Sequence, residues 1–120
     1  MPALEQMKQV IASALSLPVT DEETESMDQN TKQPGVKLSM TLGSIQLRSV
    51  ASYWQYYNFQ ASTYIANQRD DTLIQTRGNQ LLDAIVPYAI KSTVNIVYDS
   101  DGDRKIVTVT WTSRGPYADD

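Results

Sequence analysis

The chain contains no cysteine and no histidine among its 120 residues. Without cysteine there is no disulfide, no thiolate nucleophile and no Cys-based metal site. That fits a reducing compartment. Without histidine the commonest general base, metal ligand and near-neutral proton switch are missing as well. An enzyme built on this chain would have to work with carboxylates, Lys, Tyr or Ser/Thr. No Gly-rich phosphate loop and no G-x-S-x-G elbow is present. The sequence is therefore read as non-enzymatic, with no cofactor and no bound metal.

Long apolar runs are also missing. No stretch approaches the ~20 residues that span a bilayer. Glu5, Gln6, Lys8 and Gln9 interrupt the N-terminal segment, which does not read as a signal peptide. The expectation is a soluble protein with no membrane partner, in the cytoplasm or in a virion. The basic residues are scattered singly, without the patch or stripe of a nucleic-acid binder. Net charge is −4. Five acids fall between Asp21 and Asp28, whereas residues 32–117 carry nine basic against six acidic side chains.

One run of carboxylates looks at first like a calcium loop: Asp99-Ser100-Asp101-Gly102-Asp103. The EF-hand pattern needs glycine at its sixth position and a bidentate Glu at its twelfth. Here glycine comes one position early and no Glu follows Glu25. A hairpin turn at Asp101-Gly102 accounts for the run. Adjacent Asp70 and Asp71 point different ways and do not form a catalytic pair. Asp71 is read instead as a helix N-cap.

Six of the ten aromatics (two Trp, seven Tyr, one Phe) are present between Ser44 and Arg69. The rest of the chain is read around this segment. Residues 2–16 read as an amphipathic helix, with Leu4, Met7, Ile11, Ala14 and Leu15 on one stripe and Pro18 ending it. It either docks on its own body or serves as an arm. Residues 19–34 read as an acidic loop or linker, with Thr20 and Glu23 matching a capping box. Leu38, Met40 and Leu42 alternate with polar residues, and Gly43-Ser44 has the chemistry of a tight turn. A hairpin of 36–42 with 45–50 follows, pairing Leu42 with Ile45 and Met40 with Leu47.

The next stretch satisfies helical spacing through Val50, Trp54, Tyr57, Ala61 and Ile65, so a helix is expected over about 50–68. A second helix is expected from Asp71 to about Val86, where Pro87 stops it. Ile74, Gly78, Leu81, Leu82 and Ile85 line one side, and Gly78 suggests close approach of another element. A second hairpin pairs Ile96 with Val107 and Val94 with Val109. Val94, Ile96, Tyr98, Val107, Val109 and Trp111 then share its core face. Residues 114–120 read as a tail.

The expected fold is α+β. An N-terminal helix (1–18) and the acidic segment (19–34) precede a body of residues 35–113. Two β-hairpins form a small, mainly antiparallel sheet, with two helices between them packed on one face. Tyr56 and Phe59 fall outside the core stripe of the expected aromatic helix, which makes them candidates for a protein interface. Tyr53, Trp54, Tyr57, Tyr64, Tyr98 and Trp111 are candidates to line an apolar pocket between helix and sheet.

The function expected from these features is structural: self-assembly, as a homo-oligomer, or docking to protein partners. Small cysteine-free domains with long loops and Thr-rich strands occur among phage neck and tail-completion subunits, a likeness of layout only. The alternative is a small-molecule binding domain using the aromatic pocket.

Overall fold

The computed structural model describes residues 2–20, 35–49, 52–66, 71–101 and 104–115. Helix α1 spans Pro2–Leu15 and is followed by a two-residue strand β1, Val19–Thr20. Two long strands come next, β2 at Val36–Ser49 and β3 at Ser52–Ala66. Helix α2 spans Thr72–Ile85. Single 3₁₀ turns at Val86–Tyr88 and Lys91–Thr93 lead to β4, Asn95–Asp101, and β5, Arg104–Gly115. The five strands form one sheet in the order β1-β2-β3-β5-β4. Only the β1–β2 pair is parallel.

Both helices lie on one face of the sheet. From α1 come Met7, Ile11 and Leu15, and from α2 Ile74, Leu81, Ala84 and Ile85. They close on Val36 and Leu38 of β2, Phe59, Ala61 and Ile65 of β3, and Val107, Val109 and Trp111 of β5. The apolar stripe read in residues 2–16 is the one that docks, with Ala14 left exposed at its margin. Ser16 adopts φ 56°, and its N–H donates to Ala12 O at 2.9 Å. This left-handed residue closes the helix just before Pro18.

The aromatic segment differs from expectation. It is a strand, not a helix, so one helix rather than two lies between the hairpins. In β3, Phe59, Ala61, Thr63 and Ile65 are buried, while Asn58 and Gln60 are exposed. That is period two. Aromatic and β-branched residues suit a pleated surface, and β3 pairs along its length with β2 on one side and β5 on the other. These non-local pairings override the helical spacing of Trp54, Tyr57, Ala61 and Ile65.

Gly43-Ser44 is correspondingly not a turn. Leu42 pairs with Tyr57 and Ile45 with Gln55, so β2 contributes one more residue than β3 at this point. This is a β-bulge, and the strand continues through it. The expected partners Leu42 and Ile45 lie on the same strand. The connection to β3 falls at 50–51, outside the described residues.

In the β4–β5 hairpin, Ile96 pairs with Val109 and Tyr98 with Val107. This is two residues away from the expected register. An offset of two preserves the faces, so Ile96, Tyr98, Val107, Val109 and Trp111 still share the helix-bearing side. Val94 precedes β4 and packs against the core. Asp71 stands at the α2 N-cap but makes no capping hydrogen bond; its carboxylate meets Lys105 Nζ at 3.2 Å. Most of the acidic segment, residues 21–34, and the capping-box residue Glu23 lie outside the described residues. So do the turn at 102–103 and residues 116–120.

Candidate assembly surface

The bulge decides which way the outer half of β2 faces. Below it, Val36, Leu38, Met40 and Leu42 point to the helix-bearing side, paired with Thr63, Ala61, Phe59 and Tyr57. With strict alternation Ile45 and Leu47 would switch to the other side. The extra residue cancels that switch, placing Ile45 opposite Gln55 and Leu47 opposite Tyr53. Gln55 holds the bulge: its Nε2 donates to Tyr56 O at 2.8 Å and Gly43 O at 3.1 Å. The apolar side of β2 thus stays apolar past Leu42.

The helices do not follow it. α1 and α2 cover the sheet around Leu38, Phe59, Ala61 and Ile65, whereas the outer part of the β2–β3 hairpin extends beyond them. Leu42 is 61% exposed, Ile45 59%, Leu47 78% and Tyr53 57%. All four lie on one side of one hairpin. They are four of the eight large hydrophobic residues exposed among the described residues, and a gathered apolar patch on a monomer is often functional. Residues 38–66 contain a single charge, Arg48. Exposed strands normally carry charges or Pro that discourage association; this hairpin has almost none.

The opposite face of the sheet is polar and tied to itself. The Arg114 guanidinium sits 4.3 Å from the Trp54 ring centroid, and that of Arg104 sits 5.2 Å from Tyr64. Tyr56 Oη donates to Gln46 Oε1 at 2.6 Å, and Thr112 Oγ1 to Asn58 Oδ1 at 2.9 Å. A shallow hollow of about 280 Å³ is lined there by Ser39, Thr41, Asn58, Gln60, Thr110 and Thr112. A second, open cleft of about 350 Å³ lies between the start of α2 and the β4–β5 hairpin, lined by Asp71, Gln75, Asp99 and Lys105 among others.

The residues singled out by sequence are dispersed by this arrangement. Phe59 is 2% exposed and belongs to the core, stacked on Trp111, so it does not present a surface to a partner. Tyr56 is half-buried on the polar face. Of the six pocket candidates, Tyr53, Tyr57, Tyr98 and Trp111 face the helix-bearing side, while Trp54 and Tyr64 face away. They do not surround one hollow, because Phe59 fills the space beside Tyr57 and Trp111. Among the described residues no group of three or more carboxylates gathers to hold a metal, and no helix is long and apolar enough to cross a membrane.

No family model and no curated protein matches this chain. The surface therefore has to be read from its own chemistry. Sequence reasoning missed Leu42, Ile45 and Leu47 because a hairpin at Gly43-Ser44 would have folded them onto each other. Two signals for the true arrangement were available. One is the alternation of Phe59, Ala61, Thr63 and Ile65 with Asn58, Gln60 and Ser62. The other is the near absence of charge over 29 consecutive residues, 38–66.

Proposed function

We propose that this protein is a non-enzymatic assembly component that works by associating with further copies of itself or with protein partners through the projecting β2–β3 hairpin. The carrying observation is the uncovered apolar side of that hairpin, Leu42, Ile45, Leu47 and Tyr53, on a molecule whose long axis is 55 Å. A surface of this kind on a protein of otherwise ordinary composition marks an interaction site. A virion component of the neck or tail-completion type is the specific form of this reading, carried only by the likeness of layout.

The test is the mass in solution, by sedimentation equilibrium, of the natural chain and of a Leu42→Glu/Leu47→Glu variant. The expected result is a concentration-dependent oligomer for the natural chain and a monomer for the variant, with matching melting temperatures only at dilutions where the natural chain is also monomeric. A natural chain that stays monomeric at several hundred micromolar overturns self-assembly.

A further inference from the structure

An apolar patch that docks on a second copy needs an apolar surface there to receive it. Eight large hydrophobic side chains are exposed among the described residues. Leu42, Ile45, Leu47 and Tyr53 gather on the β2–β3 hairpin, and the other four are dispersed. Leu73 stands at the start of α2 and Val86 just past its end, roughly 20 Å apart at the rise of an α-helix. Val97 and Tyr98 are neighbours on β4 and point to opposite faces of the sheet. Among the described residues, then, no comparable second patch gathers. The segments outside them add little, since their only Met, Val, Leu, Ile or aromatic residues are Met1, Met27, Val50 and Tyr117. The surface on another copy that matches the hairpin patch is the same patch.

Charge and shape both suit a hairpin that meets its own copy. A twofold contact sets groups near their own counterparts, and like charges held together across an interface cost free energy. The chain has a net charge of −4, yet residues 38–66 contain no acid and one base, Arg48. The patch lies on the helix-bearing side of the sheet, beyond the reach of the helices. A helix is about 10 Å across, and sheets stacked face to face lie about 10 Å apart. A partner hairpin laid over the patch therefore sits level with α1 and α2 and continues their layer.

We propose that two copies pair patch to patch about a twofold axis, each hairpin covering the apolar side of the other. This rests on the self-assembly reading above and names its partner surface. The contact is isologous, so it occupies the patch on both copies and closes at the dimer. Leu42, Ile45, Leu47 and Tyr53 then leave water together, and no apolar row remains to recruit a third chain.

Ile45 lies between Leu42 and Leu47 along β2, so an axis through the patch brings the two copies of it together. The chain has no cysteine, and a single introduced thiol reports that approach. Ile45→Cys keeps a small apolar side chain in the patch. Val97→Cys, paired with Thr108 on the polar face, is the control. Each variant is first checked for the natural melting temperature at monomeric dilution, with Leu47→Cys replacing Ile45→Cys if the latter fails. Each is then concentrated and treated with a short bismaleimide. In parallel, a Leu42→Glu/Leu47→Glu chain, dye-labelled through Val97→Cys, is sedimented alone and with excess natural chain.

Twofold pairing gives a natural chain that sediments as monomer and dimer with nothing larger. It gives a covalent dimer from Ile45→Cys and none from Val97→Cys. It also leaves the labelled chain monomeric beside the natural one, because the contact needs the patch on both copies. Species beyond the dimer, or capture of the labelled chain by the natural one, show a heterologous contact. Either result overturns twofold pairing and leaves self-assembly standing. A dimer that neither Ile45→Cys nor Leu47→Cys crosslinks, or that Val97→Cys does crosslink, has the same consequence. A natural chain that stays monomeric at every concentration, or a labelled chain that oligomerises alone, overturns both.

Discussion

The Phe59 ring lies over the Trp111 ring, with centroids 5.3 Å apart and planes 13° from parallel. The two residues are register partners on β3 and β5, and each is 2% exposed. This pair joins the two central strands beneath the helices. Removing it leaves a cavity at the middle of the core. Phe59→Ala is expected to lower stability by about 3–5 kcal/mol, measured as a shift of the urea midpoint at constant slope. Tyr56→Ala, on the polar face, is expected to cost less than about 1 kcal/mol, since its hydrogen bond to Gln46 is exposed. Similar losses for the two variants would mean that Phe59 is not a core residue.

What could be read from the sequence follows the range of the interactions involved. The two helices were legible because Met7, Ile11 and Leu15, or Ile74, Leu81 and Ile85, report a periodicity within a few turns of chain. The faces of β4 and β5 were legible despite a register error, because Ile96 and Val107 keep their side under an offset of two. β3 was not legible. Its Trp54, Tyr57, Ala61 and Ile65 satisfy period 3.6 as well as Phe59, Ala61, Thr63 and Ile65 satisfy period two. The choice is made by pairing with β5, some fifty residues away, which no local pattern encodes. The exposed patch was hidden for a related reason: alternation shows that Leu42 and Leu47 share a side, but not how far the helices reach across it.

Gly78 carries the close approach that its position in a helix suggests. A Cβ built there falls inside contact distance of Tyr98 Oη and 3.0 Å from Ile96 Cδ1. Ala in place of Gly favours a helix by about 1 kcal/mol, but here the added methyl must displace the Tyr98 ring. Gly78→Ala is therefore expected to destabilise the natural chain. In a Tyr98→Ala background the same substitution is expected to stabilise by up to about 1 kcal/mol. The change of sign is read in a double-mutant cycle, and additive effects would show that the ring is not the obstacle.

The bulge should depend on one side chain. Gln55 Nε2 reaches the carbonyls of Gly43 and Tyr56, and that of Ser44 at 3.4 Å. Replacing Gln55 with Leu removes the donor at a net cost of about 0.5–1.5 kcal/mol. Because the outer hairpin has few other supports, the effect should be local. Amide exchange is expected to speed up roughly tenfold at residues 42–57 and to stay unchanged at Ile85 and Val109. Gln55→Glu should be worse at neutral pH, since an ionised carboxylate only accepts and would face three carbonyls. Uniform exchange across the sheet would place the support of the bulge elsewhere.

Ser113 offers the opposite case, a polar group whose removal should help. Its side chain is fully buried on the helix-bearing face of β5, and its Oγ has no hydrogen-bond partner. Trp111 Nε1, two residues away on the same side, is also buried and unpartnered. A buried hydroxyl without a partner carries a desolvation penalty of about 1–3 kcal/mol. Ser113→Ala deletes that oxygen and leaves the backbone bridge between Ala89 and Ser113 available. The lost volume is small, so the cavity term is minor. The expected outcome is a gain of about 1 kcal/mol in thermal or urea unfolding. Ser113→Val should lose stability instead, because Ser113 is fully buried and extra methyls in a packed interior force strain. A loss with Ala would show that a water molecule shared with Trp111 Nε1 satisfies the hydroxyl.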